Sequence, residues 1–468
     1  MDDFLREIQT SLFREWINNQ KRDYYHLHQS ETDPDAIIIE NEYCYSYVTF
    51  NPQCIIELCV MNKRTDEMAF YLHFQFKTLK HAISLFEEMD QCIKKMIDQP
   101  ICRLLLCCSG GMTTAFFADK IKNGIKVLNL NMEVAATSYQ KIYNVAQNYD
   151  VILLAPQVSY VKLQVEKVFK NKLVLKIPTQ IFASYNVGAL ITFVEESIKN
   201  KEKKYDSTVE PLASMMEIKT KKNILAVSIN ANGENSHISY RLYNNLQEIV
   251  LDSNIIKSNI KLHDVLDALD TVVLQNEMID VISIALPGVM VEGNVYSGII
   301  EGGNHQLKER LEKRYEKEIY LINDVNAAVV GYYASQNEYK SLAFLFQPIG
   351  RMAGSGIVVN GQLVRGMDHL AGEVALLPLN LSDAYLTLAN TPEGTLELVT
   401  KNIMSIIAIV APEAIVVYSD LILDSQDVSD EIKKALSQYP LKVYPQIIKV
   451  ENILEYILLG AMILSAKE

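Results

Sequence analysis

Apolar positions along the chain fall into three successive patterns. The first begins with a helical stretch, Asp3–Asn19, followed by the polar residues Gln20–Asp35. Four runs rich in β-branched and aromatic residues come next: Ala36–Ile39, Tyr43–Phe50, Ile55–Met61 and Met68–Phe76. Each predicts a strand. Leu79, Ile83, Phe86, Met89 and Ile93 then recur at helical spacing, which predicts one amphipathic helix over Leu79–Ile97. Residues 1–100 are expected to form a small α+β domain of unassigned role.

The second pattern, residues 101–200, alternates. An apolar run Ile101–Cys107 meets a helical stretch Met112–Asn123, then a strand at Ile125–Leu130 and a helix near Glu133–Gln147. A buried-type strand Val151–Ala155 is ended by Pro156. A helix near Tyr160–Phe169, a strand Leu173–Ile177 and a helix Val187–Lys199 complete it. Strict alternation predicts a parallel sheet covered on both faces. Residues 201–221 are charged, contain a proline and lack strong periodicity, so they read as a linker, with a solvated helix as the alternative. The third pattern, residues 222–468, is a larger α/β unit. Its expected strands are Ile224–Ile229, Val281–Ala285, Ile319–Leu321, Ser341–Phe346, Ile357–Val359 and Ala414–Tyr418. Two halves of similar build suit a cleft. The fold class as a whole is α/β.

Composition narrows the function. The chain of 468 residues is 49% hydrophobic and 22% charged, which excludes a disordered protein. A net charge of -13 argues against nucleic-acid binding through phosphate contacts. No apolar run is long enough for a membrane helix, and MDDFLREIQTSLFREW lacks the apolar core of a secretory signal, so a cytoplasmic protein is expected. All seven cysteines lie at or before Cys108, and an odd count without a signal predicts reduced thiols. A cysteine-based zinc site beyond Cys108 is impossible. His26, His28, His73 and His81 read as solvated or core side chains. No metal and no cofactor is expected.

The segment LLLCCSGGMTTAFF carries candidate chemistry. A buried strand delivers a cysteine to a Gly-rich turn, and a helix begins at once. Successive backbone N–H groups in such a turn bind anions. The helix N-terminus lowers a nearby thiol pKa and favours a phosphoryl dianion. Gly110 and Gly111 permit close approach, Ser109, Thr113 and Thr114 offer hydroxyls, and Met112 opens the helix. Together these describe a thiol nucleophile able to carry phosphate. The alternative is that Cys107 and Cys108 are merely buried strand-end residues.

CCSGGMTT, with DVILLAPQVSYV further on, resembles the enzyme IIB component of the bacterial sugar phosphotransferase system, lactose/cellobiose type, over residues 101–200. The resemblance implies that the cysteine directly before Ser-x-Gly-Met accepts phosphate from a phosphohistidine of the IIA component and passes it to a sugar. That position is Cys108, which leaves Cys107 structural. Gly110 stands where the family usually has alanine.

ALPGVMVEGNV, LINDVNAAVVGYY, GSGIVVNGQLVRGMDHLAGEVALLPL and NIMSIIAIVAPEAIVVYSD resemble the ROK family of sugar kinases and sugar-responsive repressors, over residues 222–468. The resemblance implies a two-lobed actin-like fold, with Asp324 as the base for a sugar hydroxyl. Asn323 and Glu373 would contact the sugar, Gly-rich turns would hold ATP phosphates, and a zinc site would brace the pocket. Several of these parts depart from the pattern. The first phosphate turn, usually Asp-x-Gly-Gly-Thr, reads Ser228-Ile229-Asn230-Ala231-Asn232. The second, usually Gly-Thr-Gly-x-Gly-x-Gly, carries Arg351 and Met352, and the late Gly-Gly is Ser419-Asp420. The family histidine is Leu376, and no Cys-x-Cys-Gly cluster follows. The departures together imply that ATP and zinc binding were abandoned.

The expected function is regulatory. A phosphocysteine-forming IIB-like domain would report phosphotransfer status, and a ROK-like domain without kinase activity would sense a sugar or sugar phosphate. A working IIB phosphocarrier and an active ROK sugar kinase are the alternatives. The expected partners are a phosphorylated IIA-type protein and the sugar ligand, with no nucleic acid and no membrane segment. The resemblance also allows a homodimer through the ROK-like block.

Overall fold

The structure is a computed structural model. It describes residues 3–20, 22–63, 68–98, 102–109, 112–127, 132–170, 172–199, 218, 220–232, 235–291, 294–296, 300–301, 306–367, 370–422, 424–437 and 444–467. The linker expected over residues 201–221 lies outside these except for Ile218, Thr220 and Lys221, and Ile218 is buried in a core.

The four strands expected near the N-terminus form at Ala36–Glu40, Cys44–Asn51, Ile55–Asn62 and Met68–Gln75, after a helix at Asp3–Asn18. A further short strand, His26–Gln29, forms within the stretch expected to be a polar connection. It is an exposed edge strand, so only pairing with Ala36–Glu40 marks it. The helix Leu79–Asp98 buries Phe86, Met89 and Ile93, as the spacing predicts.

These strands do not stand apart from the third pattern. They continue into Ile249–Lys257, Asn235–Tyr243, Ile224–Asn232, Val281–Leu286 and Glu318–Asn323 to make one ten-stranded sheet. The junction pairs Tyr71 with Ile256 in antiparallel sense. Phe13, Phe74 and Phe86 share a core with Leu225, Ile255 and Ile282. Polar contacts close the seam. Gln75 N donates to Thr271 Oγ1 at 3.0 Å, and Lys77 Nζ donates to Asp267 Oδ1 at 2.6 Å. The buried Lys257 ammonium lies 2.5 Å from Asp264 and 2.6 Å from Glu88, which satisfies a charge that would otherwise be expensive to bury. An open edge at Ile249–Lys257 is a pairing hazard, and the N-terminal meander covers it.

A second sheet runs Gln362–Leu363, Gly354–Val359, Leu342–Phe346, Ala414–Tyr418, Gln446–Lys449. In chain order this is 3-2-1-4-5. The five strands from Ile249–Lys257 to Glu318–Asn323 follow the same wiring, which gives the two-lobed actin-like architecture. The hairpin Asn235–Tyr243/Ile249–Lys257 and the strand Gln446–Lys449 are additions to the strands expected from sequence.

Helices Asp324–Ala334 and Ile453–Lys467 cross in close contact. A Cβ on Gly460 would sit 1.8 Å from the Ala327 carbonyl oxygen, and one on Gly331 would sit 2.0 Å from that of Tyr456. Backbone cannot yield as a side chain tip can, so the helices must part. Gly460→Ala is expected to lower stability by about 3 kcal/mol, at the upper end of ordinary overpacking. Calorimetric melting checks this, and an unchanged melting temperature would contradict it.

Residues 102–199 form the third unit, a four-stranded parallel sheet ordered Met132–Ser138, Cys102–Cys108, Val151–Leu154, Leu173–Lys176. One pair of expectations is corrected here. The helix after Cys108 continues to Val127, and the second strand is Met132–Ser138, where a helix was expected. Ile121 and Ile125 belong to the helix's buried face, and the edge strand fully buries only Val134. Its alternation was therefore too weak to read. Among the described residues, no helix is long and apolar enough to cross a membrane.

Candidate functional site

Cys108 ends the strand Cys102–Cys108 at the carboxyl edge of the parallel sheet, the edge where open α/β sheets place their ligands. It pairs with Ser138, one position beyond the end of the other neighbour, Val151–Leu154. Cys107 lies within the sheet, its carbonyl accepting from Ala155 N at 2.8 Å. Burial, and then the neighbouring Cys108, push the Cys107 thiol up to about 12, so it keeps its proton. No disulfide joins any of the seven cysteines. Ser109 is exposed beside Cys108, and the helix Met112–Val127 begins shortly after. Gly110 and Gly111 lie outside the described residues, as do the side chains of Met112, Thr113 and Thr114.

A second group lies where the two lobes meet. Asp324 opens the helix Asp324–Ala334, and its Oδ1 accepts from Val325 N at 2.9 Å. The side chain is buried, which raises its pKa to about 6, and the charge of Glu373 adds to the shift. Those two carboxylates are thus brought within electrostatic reach. Burial also raises the Glu373 pKa. Its position is fixed by Gly372, whose φ of +92° and close approach to the Ser355 carbonyl exclude any side chain there.

Asn323 is committed differently. Its Oδ1 caps the helix by accepting from Val325 N at 3.1 Å and Asn326 N at 3.0 Å, while Nδ2 donates to Gly288 O at 3.2 Å. The cap is the local reason for the Asn-Asp pair. Asn326 was passed over in the sequence, although it lies in the same motif. It is buried, and its Oδ1 has no partner among the described residues. Leu376 is 75% exposed, so an apolar side chain stands open on the turn just past Glu373.

Of the expected histidines, His26 and His28 are exposed. His73 is buried against Tyr240, which lowers its pKa to about 4, and His81 Nε2 lies 2.9 Å from Asp267.

Comparison with known families finds two domains. Residues 103–193 match the family described as PTS system, Lactose/Cellobiose specific IIB subunit, and residues 232–394 match the ROK family. The chain carries a IIB domain and a ROK domain. Among solved structures, a ROK hexokinase from Thermus thermophilus is 17% identical with a TM-score of 0.43, covering 52% of this chain and 99% of its own. A ROK family transcriptional regulator, homologous to the E. coli MLC protein, is 15% identical with a TM-score of 0.39, covering 53% and 81%. The lactose-specific IIB component from Streptococcus pneumoniae is 23% identical with a TM-score of 0.19, covering 20% and 95%. No curated protein matches the chain.

The IIB domain rests on the second lobe of the ROK domain. Leu421 is buried in the same apolar cluster as Cys107, Cys108 and Val158, and Ile349 packs against that cluster. Tyr139 OH donates to Glu393 Oε1 at 2.9 Å, and Lys170 Nζ lies 3.6 Å from Glu451. Ile349 directly precedes the Gly350–Gly356 turn, and Leu421 directly follows Ser419-Asp420. The contact thus falls on two of the three turns that depart from the kinase pattern, Gly350–Gly356 and Ser419-Asp420. The N–H groups of the first of these are tied to neighbouring segments. Gly350 N donates to Ala389 O at 2.9 Å, Ala353 N to Tyr385 Oη at 3.2 Å and Ser355 N to Gly372 O at 2.9 Å. Gln347 spans it, donating to Arg351 O at 2.9 Å and accepting from Tyr385 OH at 2.8 Å.

Proposed function

We propose that this protein is a regulator tied to the sugar phosphotransferase system. Cys108 of its IIB domain takes a phosphoryl group from a phosphorylated IIA-type protein, and the cleft of its ROK domain binds a sugar or sugar phosphate without phosphorylating it. The observation that carries this reading is the contrast between two sets of residues. The buried Asp324 with Glu373 keeps a pair of acceptors suited to hydroxyl donors. The Gly350–Gly356 turn instead ties the N–H groups of Gly350, Ala353 and Ser355 to neighbouring segments of the chain, and the exposed Arg351 and Met352 stand where the family pattern has a hydroxyl and a glycine. Phosphate binding draws on such N–H groups, so their loss argues for ligand recognition without phosphoryl transfer.

Two results are expected from the purified chain. Elemental analysis finds no stoichiometric zinc, since Leu376 replaces the family histidine and no cysteine follows Cys108. ATP leaves the melting curve unmoved and supports no sugar phosphorylation. Each buried hydrogen bond forfeited at the phosphate turns is worth roughly 1–3 kcal/mol, so several lost together remove most nucleotide affinity. Sugar phosphorylation at ordinary enzyme rates would overturn the reading in favour of a kinase. Phosphoryl transfer from Cys108 onward to a transported sugar would instead favour a phosphocarrier with an appended scaffold.

A further inference from the structure

Asp324 and Glu373 offer acceptors to one end of a ligand, and the chain around Glu373 shapes what can lie beyond. Two backbone turns share that residue. Glu373 N donates to Leu370 O at 3.3 Å, and Leu376 N donates to Glu373 O at 3.0 Å. The ends of such a turn lie within about 7 Å of each other at their Cα atoms. A leucine therefore stands one turn away on either side of the carboxylate. Both are exposed, Leu370 by 38% and Leu376 by 75%. Val374, between Glu373 and Leu376, is instead buried in the core of the second lobe.

The segment is held in place. Gly372 takes a φ of +92°, the left-handed value that a type II turn requires at its third position. A Cβ there would meet the Ser355 carbonyl oxygen at 2.0 Å, and Ser355 N donates to Gly372 O at 2.9 Å. The turns are thus pinned to the strand Gly354–Val359. One exposed leucine on a surface means little. Two of them fixed beside one carboxylate make a wall that is acidic at its centre and apolar on both flanks. Charge narrows the choice further. The charge that acts on Asp324 is that of Glu373, and among the described residues no cation lowers the pKa of either. The exposed Arg351 and Arg365 of the same lobe contribute to neither shift.

We propose that the ROK cleft takes an uncharged glycoside: sugar hydroxyls meet Asp324 and Glu373, an apolar aglycone lies on Leu370 and Leu376, and sugar phosphates are excluded. The proposal rests on the sugar-binding reading given above and narrows it. A free sugar leaves both leucines in water and draws nothing from the apolar surface they offer. A sugar phosphate brings about -1.5 to -2 of charge to a pair of carboxylates, and like charges repel. An aryl or alkyl group on the sugar avoids the repulsion and covers the leucines. Removing most of one exposed leucine side chain from water is worth on the order of tenfold in affinity. Because the turns are pinned, little ordering of the protein is spent against that gain.

Calorimetry on the full chain tests this with glucose, galactose, mannose and N-acetylglucosamine, each as the free sugar, the 6-phosphate and the phenyl β-glycoside. For the sugar that binds best, the phenyl glycoside is expected to bind at least tenfold tighter than the free sugar, and the 6-phosphate at least tenfold weaker. Leu376→Ser is expected to cut the phenyl advantage to about twofold while free-sugar affinity stays unchanged. Its melting temperature should not move, because the side chain is exposed. Leu370→Ser is expected to cut the advantage by a smaller factor, since less of that side chain is open. A phenyl glycoside no tighter than its free sugar, or a 6-phosphate that binds tighter, overturns the inference and leaves the sugar reading standing. A phenyl advantage that survives the Leu370→Ser, Leu376→Ser double variant overturns the assignment of the two leucines. No binding by any member of the set overturns the sugar reading itself, and this inference with it.

Discussion

Replacing Cys108 with serine is expected to abolish phosphoryl labelling, while Cys107→Ser labels as well as the wild type. The assay uses radiolabelled phosphoenolpyruvate, the general phosphotransfer proteins and a panel of IIA-type donors. The two thiols are adjacent in sequence but chemically far apart. Cys107 is held inside the sheet, with its pKa pushed up to about 12 by burial, and it offers almost no thiolate. Cys108 ends the strand, next to the exposed Ser109 and the start of a sixteen-residue helix whose N-terminus favours both a thiolate and a phosphoryl dianion. A serine hydroxyl there has the position without the ionisation. Full labelling of Cys108→Ser would move the nucleophile elsewhere, and absence of label with every donor would mark the IIB domain as inactive.

The second large effect concerns the cleft. Asp324→Asn with Glu373→Gln is expected to weaken sugar or sugar phosphate binding at least a hundredfold in calorimetry, since each carboxylate-to-hydroxyl hydrogen bond contributes about 1.5–3 kcal/mol. Binding by the wild type is expected to weaken as pH falls through 6, where Asp324 takes up a proton and ceases to accept on both oxygens. Stability moves the opposite way. The folded pKa of Asp324 lies above its ordinary value, so the folded state binds the proton more tightly. Ionisation is thus a penalty that is full above pH 6 and gone below about 3.8. Asp324→Asn keeps the bond from Val325 N and removes the buried charge, so at pH 7.5 the single variant is expected to melt higher than the wild type. A residue whose loss stabilises the fold while ending binding is one retained for binding. Intact affinity in the double variant would reduce the ROK domain to a scaffold.

How far the sequence could be read depended on where each signal resides. Cys108 could be singled out as a candidate nucleophile because the strand, the glycines and the helix start are contiguous in the sequence around it. Asp324 and Glu373 are separated along the chain and on different lobes, and only the family resemblance paired them. Asn326 escaped because a buried amide oxygen with no partner among the described residues is a property of packing, which no local pattern carries. Among the strands, buried runs such as Val281–Leu286 and Ala414–Tyr418 were plain. The alternating hairpin Asn235–Tyr243/Ile249–Lys257 and the edge strand Met132–Ser138 were missed, because half-exposed strands carry a weaker apolar signal. The seating of the IIB domain on Ile349 and Leu421 had no sequence signal at all. Both read locally as ordinary residues flanking decayed turns.

The junction between Tyr71 and Ile256 sets the order in which the protein can assemble during synthesis. The meander precedes the IIB domain in the chain, yet its last strand, Met68–Gln75, must wait for Ile249–Lys257 before that edge is covered. The IIB domain is made in between, and its four parallel strands pair only with one another, so it can close as soon as it emerges. The nascent chain thus carries a finished middle and an unfinished beginning, with an unpaired strand edge exposed over that interval. The IIB domain can thus be complete before the strand Met68–Gln75, which precedes it in the chain, is covered by the hairpin of the ROK domain.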